Sequence, residues 1–329
     1  YIIDGERHNI TASTGITLYP TDDGDIDTLM RHADQAMYQA KLAGRHSYQL
    51  FNAEKDQQSI QKHNRQYEVQ QALKNNELCL YYQPKVDMAT GKVFGAEALI
   101  RWLHPENGLI PPSEFLPIIE GSELEINVGD WVIDEALKQL EILHKQGIKL
   151  EISINISSNH LQSAHFVSKF KKALAKHNTV NAEFLQLEIL ESSVLGDLCA
   201  IRKIIKTCIE VLGVNIALDD FGTGYSSLTH LKSLLTGTIK IDQTFVRDML
   251  DDPNDYAIID GVLGLADSFN RKVVAEGVET TEHGLMLLIM GCKQAQGYAI
   301  ARPMPAHELP NWLRSFNPNK QWLAYSKKN

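Results

Sequence analysis

Between residues 78 and 297 short apolar runs alternate with amphipathic segments. The runs at 78–83, 93–101, 150–156, 185–190, 214–219, 238–242, 272–276 and 293–297 are rich in aliphatic residues and too short for helices, so they read as strands. Segments 128–146, 165–177, 197–212, 256–270 and 281–290 carry apolar residues at helical spacing. Eight strands with interleaved helices predict an α/β fold, a TIM-like (β/α)8 barrel rather than an open sheet. Only residues 84–92 separate the first two strands, with Asp87-Met88-Ala89-Thr90-Gly91 as the turn. That is too short for a crossover helix, so the barrel should begin with an antiparallel pair.

Residues 1–51 read as a small α+β unit. A β-branched run at 10–18 ends at a turn over 19–24. Leu29, Ala33, Ala36, Met37 and Ala40 then follow helical spacing, Gly44 supplies the stop, and 47–51 reads as a closing strand. Residues 52–66, polar and Gln-rich without turn residues, predict an exposed helical linker. The barrel is expected over 67–314 and a tail over 315–329, with Trp312 and Trp322 packing the C-terminal segment onto the barrel.

Composition narrows the function. Lys and Arg total 32 against 41 Asp and Glu, a net charge of −9, which argues against a protein that coats polymeric nucleic acid. Cys79, Cys199, Cys208 and Cys292 lie far apart, without the spacing of a disulfide scaffold or a zinc site, and point to a reducing, cytoplasmic setting. No run approaches the ~18 apolar residues of a membrane helix, so no membrane contact is expected within this chain. The chain opens Tyr1-Ile2-Ile3-Asp4, without Met or a leader pattern, as a piece of something longer would.

The chemistry lies in polar residues set inside the apolar strands. Glu97 stands between alanines; Asn155, Glu188 and Lys240 stand between aliphatic residues. Alternation turns each of them away from its apolar neighbours, and in a barrel that means inward. Asp219, Asp220, Glu276 and Gln296 fall near the C-terminal ends of their strands, where barrel enzymes build active sites. Five carboxylates and an Asn converging there call for hard divalent cations, Mg²⁺ or Mn²⁺ rather than zinc. Two ions about 3.5–4 Å apart can share Asp219 and flank an in-line attack on phosphorus. Lys240 is expected as the only internal cation, placed to orient or deprotonate the attacking water. The glycine-bearing segment after Asp220 suits a lid or a phosphate contact.

Glu97-Ala98-Leu99, Asn155-Ile156-Ser157, Glu188 with Glu191, the loop from Asp219 to Ser227, Lys240-Ile241-Asp242, Glu276-Gly277-Val278-Glu279 and Gln296-Gly297-Tyr298 together resemble an EAL-domain cyclic di-GMP phosphodiesterase. The likeness covers residues 67–312. It implies two Mg²⁺ or Mn²⁺ ions and hydrolysis of cyclic di-GMP to linear pGpG. It assigns Glu97, Asn155, Glu188, Asp219, Asp220 and Glu276 as metal ligands, and Lys240, Glu97 and Glu279 to catalysis. Arg101 would take a substrate phosphate, with Leu99, Gln83 and Gln296 also at the substrate. Glu191 would brace a loop containing Phe221, Gly222, Thr223 and Gly224, which in this family links the metal site to a homodimer interface. Leu190 departs from the Thr common in the family and removes a hydroxyl near that brace. Residues 1–51 resemble the C-terminal part of a GGDEF domain, carried by 12–16, 33–41 and Gly44-Arg45, without the active-site hairpin that names it. Two other readings are a non-hydrolysing cyclic di-GMP receptor, whose usual loss of a ligand or the lysine is not seen here, and a barrel glycosidase, whose chemistry needs only two carboxylates.

Overall fold

The computed structural model describes residues 2–3, 6–7, 11–42, 44–191, 198–223 and 234–327. The chain divides into two compact units, residues 1–69 and 70–329. In the first, Thr14–Ile16 pairs in parallel with Tyr48–Leu50, and the helix Ile26–Leu42 packs on both. The strand is shorter than the sequence predicts, because the Thr17 hydroxyl turns away to Asp22. Gly15 lets the helix come close: a Cβ there would lie 1.9 Å from the Ala33 carbonyl oxygen. The predicted linker is a helix, Ala53–Lys74, that runs on beyond residue 66 and contains the boundary between the units.

The second unit is a closed barrel of β1 (Leu78–Asp87), β2 (Lys92–His104), β3 (Glu151–Asn155), β4 (Leu185–Leu190), β5 (Asn215–Phe221), β6 (Thr238–Ile241), β7 (Lys272–Ala275) and β8 (Gln294–Gln296). Neighbours from β2 to β8 pair in parallel; β1 pairs antiparallel with both β2 and β8. The antiparallel start expected from the short connection is therefore present. Helices Glu123–Lys145, Phe166–Lys176, Leu198–Glu210, Pro253–Ser268 and Thr281–Ile289 follow β2, β3, β4, β6 and β7. The outward aliphatics Ile152, Ile154, Leu187, Ile189, Ile239 and Ile241 are fully buried, which fixes the polar alternates inward.

The segment expected as a tail holds a further helix, Lys320–Ser326. Asn319 caps it, Trp322 is buried, and the indole N–H donates to the Thr281 carbonyl at 2.9 Å. Trp312 is half-buried and stacks on Phe316, ring centroids 4.6 Å apart. Gly284 makes room for the Trp322 ring: a Cβ there would lie 2.4 Å from it. Gly284→Ala is expected to destabilise this unit by about 1–3 kcal/mol through overpacking. Urea denaturation followed by tryptophan fluorescence checks this; an unchanged midpoint would show that the indole moves aside freely. No helix among the described residues is long and apolar enough to cross a membrane.

Candidate active site

Gln83, Glu97, Asp219, Lys240, Glu276 and Gln296, each on a barrel strand or just past one, line one cavity, and Asn155 and Glu188 reach the same cluster through Glu97 and Lys240. The cavity holds about 430 Å³, and Leu99, Arg101, Asp220, Gln243, Glu279, Tyr298 and Pro303 also line it. At its centre the buried Lys240 ammonium stands among four carboxylates. Nζ lies 2.5 Å from Glu188 Oε2, 2.7 Å from Glu276 Oε1, 2.9 Å from Asp219 Oδ1 and 3.7 Å from Glu97 Oε2. Glu97 is held from both sides: Asn155 Nδ2 donates to Oε1 at 2.7 Å and Gln296 Nε2 to Oε2 at 2.7 Å. Gln296 also donates to Gln83 Oε1 at 2.8 Å, and Gln83 donates to the Ala301 carbonyl at 3.0 Å. Gln83 and Gln296, expected at the substrate, thus also position Glu97. The buried Gln296 Oε1 has no hydrogen-bond partner among the described residues.

Two successive residues of a strand face opposite sides, so Asp219 and Asp220 cannot both reach the cavity from regular backbone. The ladder with β6 shifts register between Leu218 and Phe221, and Asp220 takes the left-handed conformation at φ 52°. That break swings the second carboxylate onto the wall beside the first. Left-handed backbone is costly for a residue other than glycine, and such strain collects at functional sites.

The electrostatics are lopsided. Burial pushes the Glu97, Asp219 and Glu276 carboxyls up by more than Lys240 draws them down. Burial, then the neighbouring Asp219 and Asp242, pushes Asp220 up to about 7. Burial also acts on Glu188, yet the ammonium groups of Lys240 and Lys85 outweigh it and hold that carboxyl at about 2. Burial pushes Lys240 down, while Glu188, Glu276, Glu97 and Asp219 lift it well above its ordinary value. Full ionisation of these acids is therefore costly without added positive charge. Oxygen atoms of Glu97, Glu188 and Asp219 converge within 4.8 Å, as do those of Asp219, Asp220 and Glu276, with Asp219 common to both groups. This all-oxygen donor set fits hard divalent cations.

Lys240 is not the only internal cation. Lys85 is equally buried and reaches Gln186 Oε1 at 3.2 Å, Glu188 Oε1 at 3.4 Å and the Ser153 hydroxyl. The sequence reading ended β1 at Gln83 and left Lys85 in the connection, although it stands between Pro84 and Val86 as the other inward residues stand between apolar ones. Glu279 lines the cavity mouth, exposed, and its oxygens belong to neither convergent acid group. Arg101 also lines the cavity, half-buried, with Nη1 donating to the Ile100 carbonyl at 2.8 Å and the guanidinium 5.7 Å from the Tyr81 ring centre.

With this geometry in place, comparison with known proteins is decisive. Residues 66–303 match the EAL domain, and residues 2–47 match the diguanylate cyclase GGDEF domain. The chain belongs to the EAL domain family. It is 39% identical over 310 residues to the bifunctional diguanylate cyclase/cyclic di-GMP phosphodiesterase MucR of Pseudomonas aeruginosa, covering 94% of this chain and 45% of that protein. It is 35% identical over 308 residues to the cyclic di-GMP phosphodiesterase PdeR of Escherichia coli, covering 93% and 46%. Among solved structures, the MucR phosphodiesterase in complex with c-di-GMP superposes with a TM-score of 0.72 at 39% identity, over 75% of this chain and 99% of that one. The EAL enzyme Bd1971, bound to cAMP and cyclic di-GMP, gives 0.75 at 30% identity, over 89% and 77%. The chain spans about half the length of these curated relatives.

In this EAL domain Glu191 is buried, and its Oε2 accepts the Gly222 N–H at 2.9 Å. Gly222 has φ 103°, and a Cβ there would lie 2.8 Å from the Phe245 ring. Phe221 is buried, and the Thr223 hydroxyl donates to the Asp220 carbonyl at 2.8 Å. The backbone just past Asp219-Asp220 is thus tied to the end of β4; Gly224 lies outside the described residues. Leu190, between Glu188 and this brace, is partly exposed. Glu191→Ala is expected to lower turnover about 10–100-fold by loosening the two aspartates, since small misplacements are costly in catalysis. Steady-state rates check this, and a wild-type rate would sink the coupling.

Proposed function

We propose that this EAL domain hydrolyses cyclic di-GMP to linear pGpG. The observation that carries the reading is the lysine-centred carboxylate cluster, with Asp219 common to two convergent acid groups at the C-terminal mouth of the barrel. Glu97, Asn155, Glu188, Asp219, Asp220 and Glu276 would hold two Mg²⁺ or Mn²⁺ ions, which when bound supply Lewis acidity toward the phosphodiester and a lowered pKa for the attacking water. Lys240, kept protonated by its carboxylate neighbours, acts as a donor: it orients that water and offsets charge gathering on phosphorus. Arg101 offers a fork-shaped donor to a substrate phosphate. Gln296 fixes Glu97 and presents its free Oε1 as an acceptor inside the site. Glu279, at the mouth, joins the water network. A homodimer through this domain, responding through the Glu191-braced backbone, is part of the same reading.

The test is incubation of purified protein with cyclic di-GMP and Mg²⁺ or Mn²⁺, with and without EDTA, following pGpG by chromatography. Conversion that EDTA abolishes supports the reading. Tight binding without conversion would replace the enzyme by a receptor, and the absence of both would overturn it.

A further inference from the structure

Below the cavity lies a buried cation that the reaction scheme above leaves without a task. Lys85 enters from β1, fully buried, beneath the carboxylate cluster. Gly95 on β2 clears its path: a Cβ there would lie 3.1 Å from Lys85 Cε. Ser153 and Gln186 hold the ammonium, and Ser153 Oγ donates onward to Gln186 Oε1 at 2.8 Å. The two oxygens of Glu188 are thereby divided, Oε1 toward Lys85 at 3.4 Å and Oε2 toward Lys240 at 2.5 Å. A buried ammonium needs a partner whatever its role, and here that partner is a carboxylate of the acid cluster. Apolar packing at such a site is no less stable than a buried ion pair.

Resting on the metal-dependent phosphodiesterase reading, we propose that Lys85 sets the net charge of the loaded cavity. Counted as carboxylates, Glu97, Glu188, Asp219, Asp220 and Glu276 together with the two lysines sum to three negative charges. Two divalent cations then turn the cavity one charge positive, suited to an anionic phosphodiester. Without Lys85 the same loaded cavity is neutral. It holds cations more tightly and the anionic substrate less tightly, because Coulomb terms at this range are large in a buried site. The opposite signs distinguish charge setting from a role in folding alone, which would weaken both.

The experiment titrates Mn²⁺ alone, by calorimetry, into wild-type protein, Lys85→Met and Lys85→Gln, and measures KM for cyclic di-GMP at saturating Mn²⁺. Lys85→Gln keeps hydrogen-bonding capacity toward Ser153 and Gln186 and serves if the methionine variant fails to fold. The expected result is a Mn²⁺ dissociation constant about tenfold lower and a KM about tenfold higher in the variants. Unchanged constants, or both weakening together, would overturn the proposal while leaving the phosphodiesterase reading intact. Wild-type protein that neither binds Mn²⁺ nor turns over would remove that reading first, and the proposal with it.

Discussion

Lys240→Met is expected to lose about 10²–10³-fold in turnover, the scale of removing one preorganised donor from a transition state. The side chain is nearly isosteric, so the barrel keeps its packing while Glu97, Glu188, Asp219 and Glu276 lose their shared ammonium. Cyclic di-GMP binding should persist, weakened about tenfold by the lost charge as in the Lys85 variants, because Arg101, Leu99 and Gln83 are untouched. Stability supplies a second readout. Removing one partner of a buried charge pair costs about 3–5 kcal/mol, so the variant should melt earlier in EDTA than wild type. Mn²⁺ should then raise its melting temperature by more than it raises that of wild type, since the cation restores the missing positive charge. Turnover within tenfold of wild type would refute the catalytic role of Lys240.

Asp219→Asn should be the most damaging single change among the acids. Asp219 is the one residue shared by both convergent oxygen groups, whereas Asp220 and Glu276 belong to one. The amide keeps the shape and removes the charge, and turnover is expected to fall on the order of 10³-fold because both ion positions lose a ligand. Asp220→Asn should retain part of the Mn²⁺-induced rise in melting temperature, and Asp219→Asn little of it. Thermal melts with and without Mn²⁺, beside chromatographic rates, measure both. Equal effects at the two positions would mean that the aspartate pair acts as one ligand and Asp219 bridges nothing.

Much of this site was legible from strand alternation alone. A polar residue flanked by aliphatics identifies an inward position, and the rule located Glu97, Asn155, Glu188 and Lys240 on strands whose limits fall within a few residues of those predicted. It failed for Lys85 because Pro84 reads as a strand breaker. In the barrel, Pro84 falls between two pairings on that edge: Tyr81 and Tyr82 with Met304–Pro305, and Lys85 to Asp87 with β8. The ladder there asks for no donor, so the strand runs through. The inward turn of Asp220 was equally hidden, since nothing local separates a left-handed residue from an outward one. Trp322 against Gly284 depends on a match between distant positions that neither segment reveals alone. What sequence periodicity cannot carry, in each case, is a contact made by another part of the chain.

The reversed first strand also bears on how the site comes into being. Gln83 and Glu97 are register partners on one local hairpin, so the two residues that Gln296 joins are already side by side between near neighbours in the chain. Gln296 arrives across the β1–β8 seam, at sequence separations of 213 from Gln83 and 199 from Glu97. The entropy of joining such distant segments falls on that seam, and long-range pairing of this kind is slow. Closing the barrel and completing the carboxylate cluster are therefore a single event, and the chain does not carry an acid cluster dense enough to repel itself until the sheet that confines it is whole.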